Sequence, residues 1–264
     1  MTNDASTSPV ETALEMHGVN VASLSDPDVT VLEDVNWSVN TGDYWVVAGM
    51  HGSGKSDFMA LAGGLTRPQA GSYRLFGREM PIFEEEHLAE RLRLGLVFDG
   101  GHLLHRLTVA ENIALPLQYH RRLSDREISE RVAAMLELTD LTPWAGVLPG
   151  RLGRNWQKRA GLARALMLEP ELLLLDNPLG GLDSRHAYWW LNFLGQLARG
   201  EGWQQGRRVT LVATAEDLRL WKDQASHFAI LQQGRLVTLG ERSVLAGNSE
   251  PLVKELLSGG FANV

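Results

Sequence analysis

At 264 residues, with 44% hydrophobic and 22% charged side chains, the chain carries enough apolar material for a sizeable core and excludes global disorder. A formal charge of −7 argues against a surface devoted to gripping nucleic acid, and zero cysteines exclude disulfides and thiolate metal sites. No stretch approaches the ~20 apolar residues of a membrane-spanning helix, and nothing at the start reads as a signal peptide, so the cytoplasm is the expected compartment.

Residues 1–12 are small and polar and read as a frayed leader. Residues 14–21 and 31–39 read as two strands separated by the turn-forming Ser25-Asp26-Pro27-Asp28, which predicts an antiparallel β edge near the N-terminus. Residues 44–48 are short, apolar and β-prone, the pattern of a strand buried on both faces; a glycine-rich break follows, then a helix over 56–65. Another apolar strand is expected over 93–98. Residues 108–117, 125–138 and 155–168 then carry helical spacing with little strand signal between them. Short buried strands return at 172–175, 209–213 and 228–231, with a helix over 186–198 before the middle one. The expected fold is therefore α/β with a largely parallel sheet. Its core spans 13–98 and 166–245, a helical subdomain is inserted over 99–165, and a tail covers 246–264.

The break after the buried strand reads Gly49-Met50-His51-Gly52-Ser53-Gly54-Lys55-Ser56, with Asp57 next. It satisfies G-x-x-x-x-G-K-[ST] between a strand and a helix, so the core is expected to be that of a P-loop NTPase. Glycines let such a loop turn its N–H groups inward around phosphate oxygens, and the helix adds its positive end. Lys55 is expected at the β- and γ-phosphates of ATP and Ser56 on Mg²⁺. The alternative, a glycine-rich turn that binds nothing, gives the lysine no packing role. The His51 side chain lies at a free position of the pattern and is read as solvated. A second apolar strand ends in Asp176, placed to offer a carboxylate to Mg²⁺, although an aspartate there is also an ordinary turn residue.

From Asp176 onward the chain reads Asn177-Pro178-Leu179-Gly180-Gly181-Leu182-Asp183. Here it resembles the ABC ATPase family, whose members carry D-E-P-x-x-x-L-D. The resemblance extends to residues 31–35, 107–112 and 158–166. Residues 94–98 and 107–117 look most similar to ATPases of bacterial phospholipid transport, the lipid-asymmetry type. It implies ATP and Mg²⁺ as ligands, a membrane permease as partner, and a second ATP-binding subunit, either another copy or a similarly altered paralogue. It also implies a peripheral position at the inner face of the plasma membrane.

The sequence departs from that family where hydrolysis is carried out. Asp99 stands where the family has a glutamine, Asn177 where it has the glutamate base, and Glu216 where it has a histidine on the γ-phosphate. The signature L-S-G-G-Q, which each subunit offers to its partner's ATP, reads Leu152-Gly153-Arg154-Asn155-Trp156. The adenine-stacking aromatic has no clear match near Ser23-Leu24. A neutral amide cannot take a proton from water, so loss of the base costs ~10² to 10⁴ in rate. At ~5 Å and an effective dielectric of ~20, one unpaired carboxylate costs about 3 kcal/mol against a phosphate charge. The new acids must then point away, be paired or be protonated. Three accounts stay open: decay of a site that only binds, relocation with Glu216 or Asp99 as base and Arg154 as an arginine finger, or misalignment of the motifs. Trp156 reads as a packing anchor, and the same holds for Trp189 and Trp190.

Two functions follow: an ATPase that drives a lipid-handling permease, or a nucleotide-gated binding module whose turnover is incidental. A third, an ABC protein without a membrane partner, is disfavoured because the helical part is too short for the long arms of the DNA-repair type.

Overall fold

The computed structural model describes residues 11–80, 87–204, 206–245, 247 and 250–258. Strand β1 (Thr12–Ala22) pairs antiparallel with β2 (Thr30–Asn40). Gly18 and Asp34 take left-handed φ of 59° and 51° where the register shifts. Those kinks reset the alternation, so Leu14, Met16, Val19 and Val21 are all buried, as are Leu32, Val35, Trp37 and Val39. After β3 (Tyr44–Gly49) and α1 (Lys55–Ala62), β4 (Ala70–Leu75) and β5 (Arg78–Met80) complete a four-stranded sheet in the order β2-β1-β4-β5. The short α2 (Leu88–Arg91) then leads into β6 (Leu94–Val97).

Three helices follow: α3 (Val109–His120), α4 (Asp125–Leu138) and α5 (Arg154–Leu166). The first two begin in reciprocal capping boxes, Thr108 with Glu111 and Ser124 with Glu127, which satisfy N-terminal N–H groups that packing leaves open. Asn112 is fully buried and holds the preceding loop, donating to the carbonyls of Leu104, Leu107 and Thr108 and accepting from Leu104 N–H at 2.8 Å.

The chain re-enters the core through β7 (Leu172–Leu175), α6 (Ser184–Arg199), β8 (Thr210–Ala215), β9 (His227–Gln232) and β10 (Arg235–Glu241), then ends in α7 (Arg242–Leu245) and α8 (Pro251–Ser258). The second sheet has the order β10-β9-β3-β8-β7-β6, parallel except for β10. Both its faces are covered, which is why β3 and β7 are apolar throughout. Trp45 and Val47 point to α1 and the antiparallel sheet, where Trp37 packs edge-on to Trp45 and against Phe58. Tyr44, Val46 and Ala48 point to the helical side, where Trp190 is wholly buried. Trp189 stacks on Phe193 and Trp156 packs against Trp144, so these tryptophans serve the core and its edge.

Several elements differ from the sequence expectation. The helix read over 56–65 stops at Ala62, because Gly63 and Gly64 follow and Gly64 takes φ 70°. β1 begins at Thr12, inside the stretch read as a leader, because Thr12 pairs with Asn40; residues 1–10 lie outside the described residues. Within 246–264, α8 buries Val253 and Leu256, and Leu218 N–H donates to the Leu256 carbonyl at 2.8 Å. β4, β5 and β10 were not expected, since only Tyr73, Leu75 and Met80 in them are buried.

Helix α5 lies against the segment after β6 with almost no clearance. A Cβ on Gly101, whose φ is 81°, would stand 2.2 Å from the Gln157 carbonyl oxygen. Gly101→Ala is therefore expected to destabilise the fold by about 2–4 kcal/mol, from left-handed strain plus forced displacement of α5. Gly146→Ala, with nothing near the new methyl, is expected to change stability by less than ~0.5 kcal/mol. Urea unfolding followed by tryptophan fluorescence compares the two.

Candidate nucleotide site

The carboxyl ends of four neighbouring parallel strands converge. Register pairs Ala48 with Ala215, Leu175 with Ala213, and Val97 with Leu175, so the residues after β3, β8, β7 and β6 meet along one sheet edge. Open α/β sheets hold ligands at that edge. Gly49, Asp176, Glu216 and Asp99 are thus brought together by topology, although they are far apart in sequence.

The loop after β3 is built as a cradle. Gly52 and Gly54 take φ of 76° and 88°, conformations open to glycine. A Cβ on Gly49 would stand 2.4 Å from Ser53 Oγ and 3.1 Å from the Leu231 carbonyl oxygen. Lys55 Nζ donates to the carbonyls of Gly49 and Met50 at 2.8 Å each, which bends its side chain back over the loop and leaves a third donor. Burial lowers the Lys55 pKa, and the charges of Glu216 and Asp176 oppose that shift.

Ser56 and Asp176 line one pocket of about 200 Å³ with Leu24, Phe98, Asp99 and His102 among its walls. Asp176 is 7% exposed, and Thr214 orients it: the Thr214 hydroxyl donates to Asp176 Oδ1 at 2.9 Å and accepts from Asn177 N–H at 2.9 Å. Among the described residues no group of three His, Asp or Glu could hold a metal by itself. A hydroxyl, one carboxylate and phosphate oxygens form the donor set that suits Mg²⁺.

Asn177 has φ 46°, and its side chain lies where a Cβ on Gly180 would be. This turn is held by Lys158. The ammonium, with its side chain 1% exposed, donates to the carbonyls of Asn177 at 2.6 Å and Gly180 at 2.9 Å and pairs with Asp99 Oδ1 at 2.9 Å. Arg154 Nη2 binds the same carboxylate at 2.9 and 2.8 Å. Burial disfavours the charged Asp99, but bonds from Lys158 and Arg154 outweigh it and hold the carboxyl below its ordinary pKa. Asp99 is therefore a committed ion-pair member, ill suited to take a proton from water. Arg154 is engaged by its own chain, which does not match the expected free finger.

Glu216 follows β8 and is exposed, with its Oε1 3.8 Å from His51 Nδ1. Asp57 accepts Leu24 N–H at 2.7 Å and so ties the 23–29 loop to α1. At the start of α5, Gly153 is the N-cap without a side-chain cap, and the buried Asn155 has no partner for Nδ2 or Oδ1. Lys158, Thr214 and His102 were not singled out by sequence reading. The first lies in the stretch 158–166 that carries the family resemblance, but nothing local in the sequence shows its burial.

A glycine-rich strand-to-helix loop, a lysine folded over it, and Ser56 and Asp176 lining one pocket define a P-loop nucleotide-binding protein. The ABC transporter model matches residues 32–180, and the chain belongs to that family. It is 32% identical over 253 residues to the "Probable ribonucleotide transport ATP-binding protein mkl" of Mycobacterium leprae, covering 95% of this chain and 70% of that one. It is 31% identical to the methionine import ATP-binding protein MetN of Lactobacillus delbrueckii subsp. bulgaricus, covering 90% and 68%. Among solved structures, the dimeric cassette MJ0796 in a post-hydrolysis state with ADP and Pi superposes with a TM-score of 0.73 at 25% identity, covering 84% of this chain and 96% of that one. ATP and Mg²⁺ are the ligands of this family, its ATPases work with membrane permeases, and its cassettes form dimers. Among the described residues no helix is long and apolar enough to cross a membrane.

Removing Lys158 leaves two carbonyls and one carboxylate short of a donor. Lys158→Met is expected to cost about 2 kcal/mol, and Asp99→Asn in the same chain to cost less than the sum of the two single changes. Because the folded Asp99 pKa is depressed, its contribution is complete above the ordinary aspartate value of ~3.9 and is lost as pH falls through the folded value. The Asp99→Asn chain should lose less stability than the unmodified one below pH ~4. Denaturant midpoints measured from pH 7 to pH 3 check both.

Proposed function

We propose that the chain is the ATP-binding subunit that couples nucleotide binding, with slow hydrolysis, to a membrane permease. One observation carries the reading: Ser56, which directly follows the cradle and its Lys55, lines one pocket with Asp176, while the position next to Asp176 holds an amide. Bound Mg²⁺ would shield the phosphates and polarise the terminal one. Gly49 to Gly54 would turn N–H groups toward phosphate oxygens, Lys55 would bind the β- and γ-phosphates, and Ser56 and Asp176 would hold the ion. Asn177 would orient water through its carbonyl without accepting its proton.

The lipid-class cargo suggested by residues 94–98 and 107–117 rests on sequence resemblance alone; the relatives' names speak of ribonucleotides and methionine. The amide at Asn177 also favours a second reading, a nucleotide-gated module in which ATP holds the complex in one state. Phosphate release with and without the permease, set against equilibrium ATP binding, separates the two: tight binding with no turnover in the full complex supports the second.

Lys55→Ala is expected to abolish ATP binding; affinity within about threefold of the unmodified chain would sink the cradle assignment. Asp176→Asn should weaken binding in Mg²⁺ more than in chelator, and equal losses would remove Asp176 from the metal.

By the family pattern, Asn177 and Glu216 serve the chain's own nucleotide and residues 152–156 serve the partner's. Both kinds of site are then altered, and either a homodimer with two equivalent slow sites or a partner altered in the same way is expected. A complex in which one site turns over near the ~10 s⁻¹ enzyme median would contradict this. Replacing Arg154-Asn155 by Gly-Gly tests the loop: a fall in rate identifies a finger, whereas a flat or higher rate fits the Asp99-bound Arg154.

A further inference from the structure

His51 is placed in the phosphate loop with a side chain 99% exposed, so packing does not account for it. Its Nδ1 is 3.8 Å from Glu216 Oε1, across from the end of β8. Glu216 also acts electrostatically on Lys55, the ammonium folded over the loop. A carboxylate so placed repels the terminal phosphate of a bound triphosphate. Asp99 escapes that conflict through Lys158 and Arg154, but Glu216 has neither of them. Met50, Gly52 and Ser53 carry no charge, so His51 is the group between Gly49 and Gly54 that can stand as a cation between the two anions.

We propose that protonated His51 bridges Glu216 and the terminal phosphate of ATP, so that the loop distinguishes triphosphate from diphosphate. This inference rests on the reading of Gly49 to Ser56 as the triphosphate cradle. Nδ1–H would donate to the Glu216 carboxylate, which orients the ring, and Nε2–H to a terminal phosphate oxygen. With the diphosphate, the third phosphate is absent and both the repulsion and the bridge lose their object. His51 is then a nucleotide-binding residue, and Glu216 is a positioning residue acting through it.

The test is a mutant cycle on the full chain, with MgATP and MgADP affinities measured by calorimetry. His51→Ala is expected to weaken ATP about tenfold and ADP less than twofold. Adding Glu216→Gln should restore most of the ATP loss by removing the unpaired charge, and His51→Lys should keep the preference for ATP. Equal losses for both nucleotides, or no rescue by Glu216→Gln, would overturn the bridge while leaving the cradle intact. An unmodified chain that binds neither nucleotide would overturn the cradle and the bridge together.

Discussion

An ammonium withdrawn from water must direct all three of its N–H bonds at acceptors, and Lys158 does so toward three acceptors on two separate stretches of chain. It reaches the Asp99 carboxylate after β6, the Asn177 carbonyl after β7, and the Gly180 carbonyl at the end of the same turn. The helix that carries it is pressed against Gly101 with no room for a side chain. Lys158 and the Gly101 contact therefore fix α5 against the sheet edge, beside the Arg164 bonds to the Gly101 and His102 carbonyls. Displacing either separates the residues that follow Asp176 from the residues that follow β6.

The same network explains how a pocket built for a polyanion tolerates so many acids. Asp99 is neutralised by two cations of its own chain, Asp57 is occupied by the Leu24 amide, and Asp176 is oriented by Thr214. Glu216 faces His51. Each acid has a local partner, and Asp99 adds no free negative charge to the site because Lys158 and Arg154 are placed to receive it.

Much of the architecture is legible in local chemistry. The capped helix α4 and the uniformly apolar strand β7 have the limits that their residues announce, and the cradle declares itself by three glycines, a lysine and a serine. β4, β5 and β10 escape notice because their patterns are mostly polar: β4 is held by the distant β1, and β5 and β10 are exposed hairpin partners of β4 and β9. The ionic network is equally silent in sequence: Arg154 and Lys158 lie far from Asp99 along the chain and meet it only once α5 has docked. Pattern reading therefore leaves Asp99 open as a paired acid or a base, and only the docked α5 shows the pairing.

The bond from Leu24 N–H to Asp57 joins the rim of the pocket to the first turn of α1. Leu24 and Ser56 line the same cavity from opposite sides of that bond. The wall near Leu24 is thus tied through Asp57 to the turn that carries Ser56. A shift of α1 that repositions Ser56 would strain or break that bond, so the position of Leu24 at the pocket wall is linked to that of the helix start.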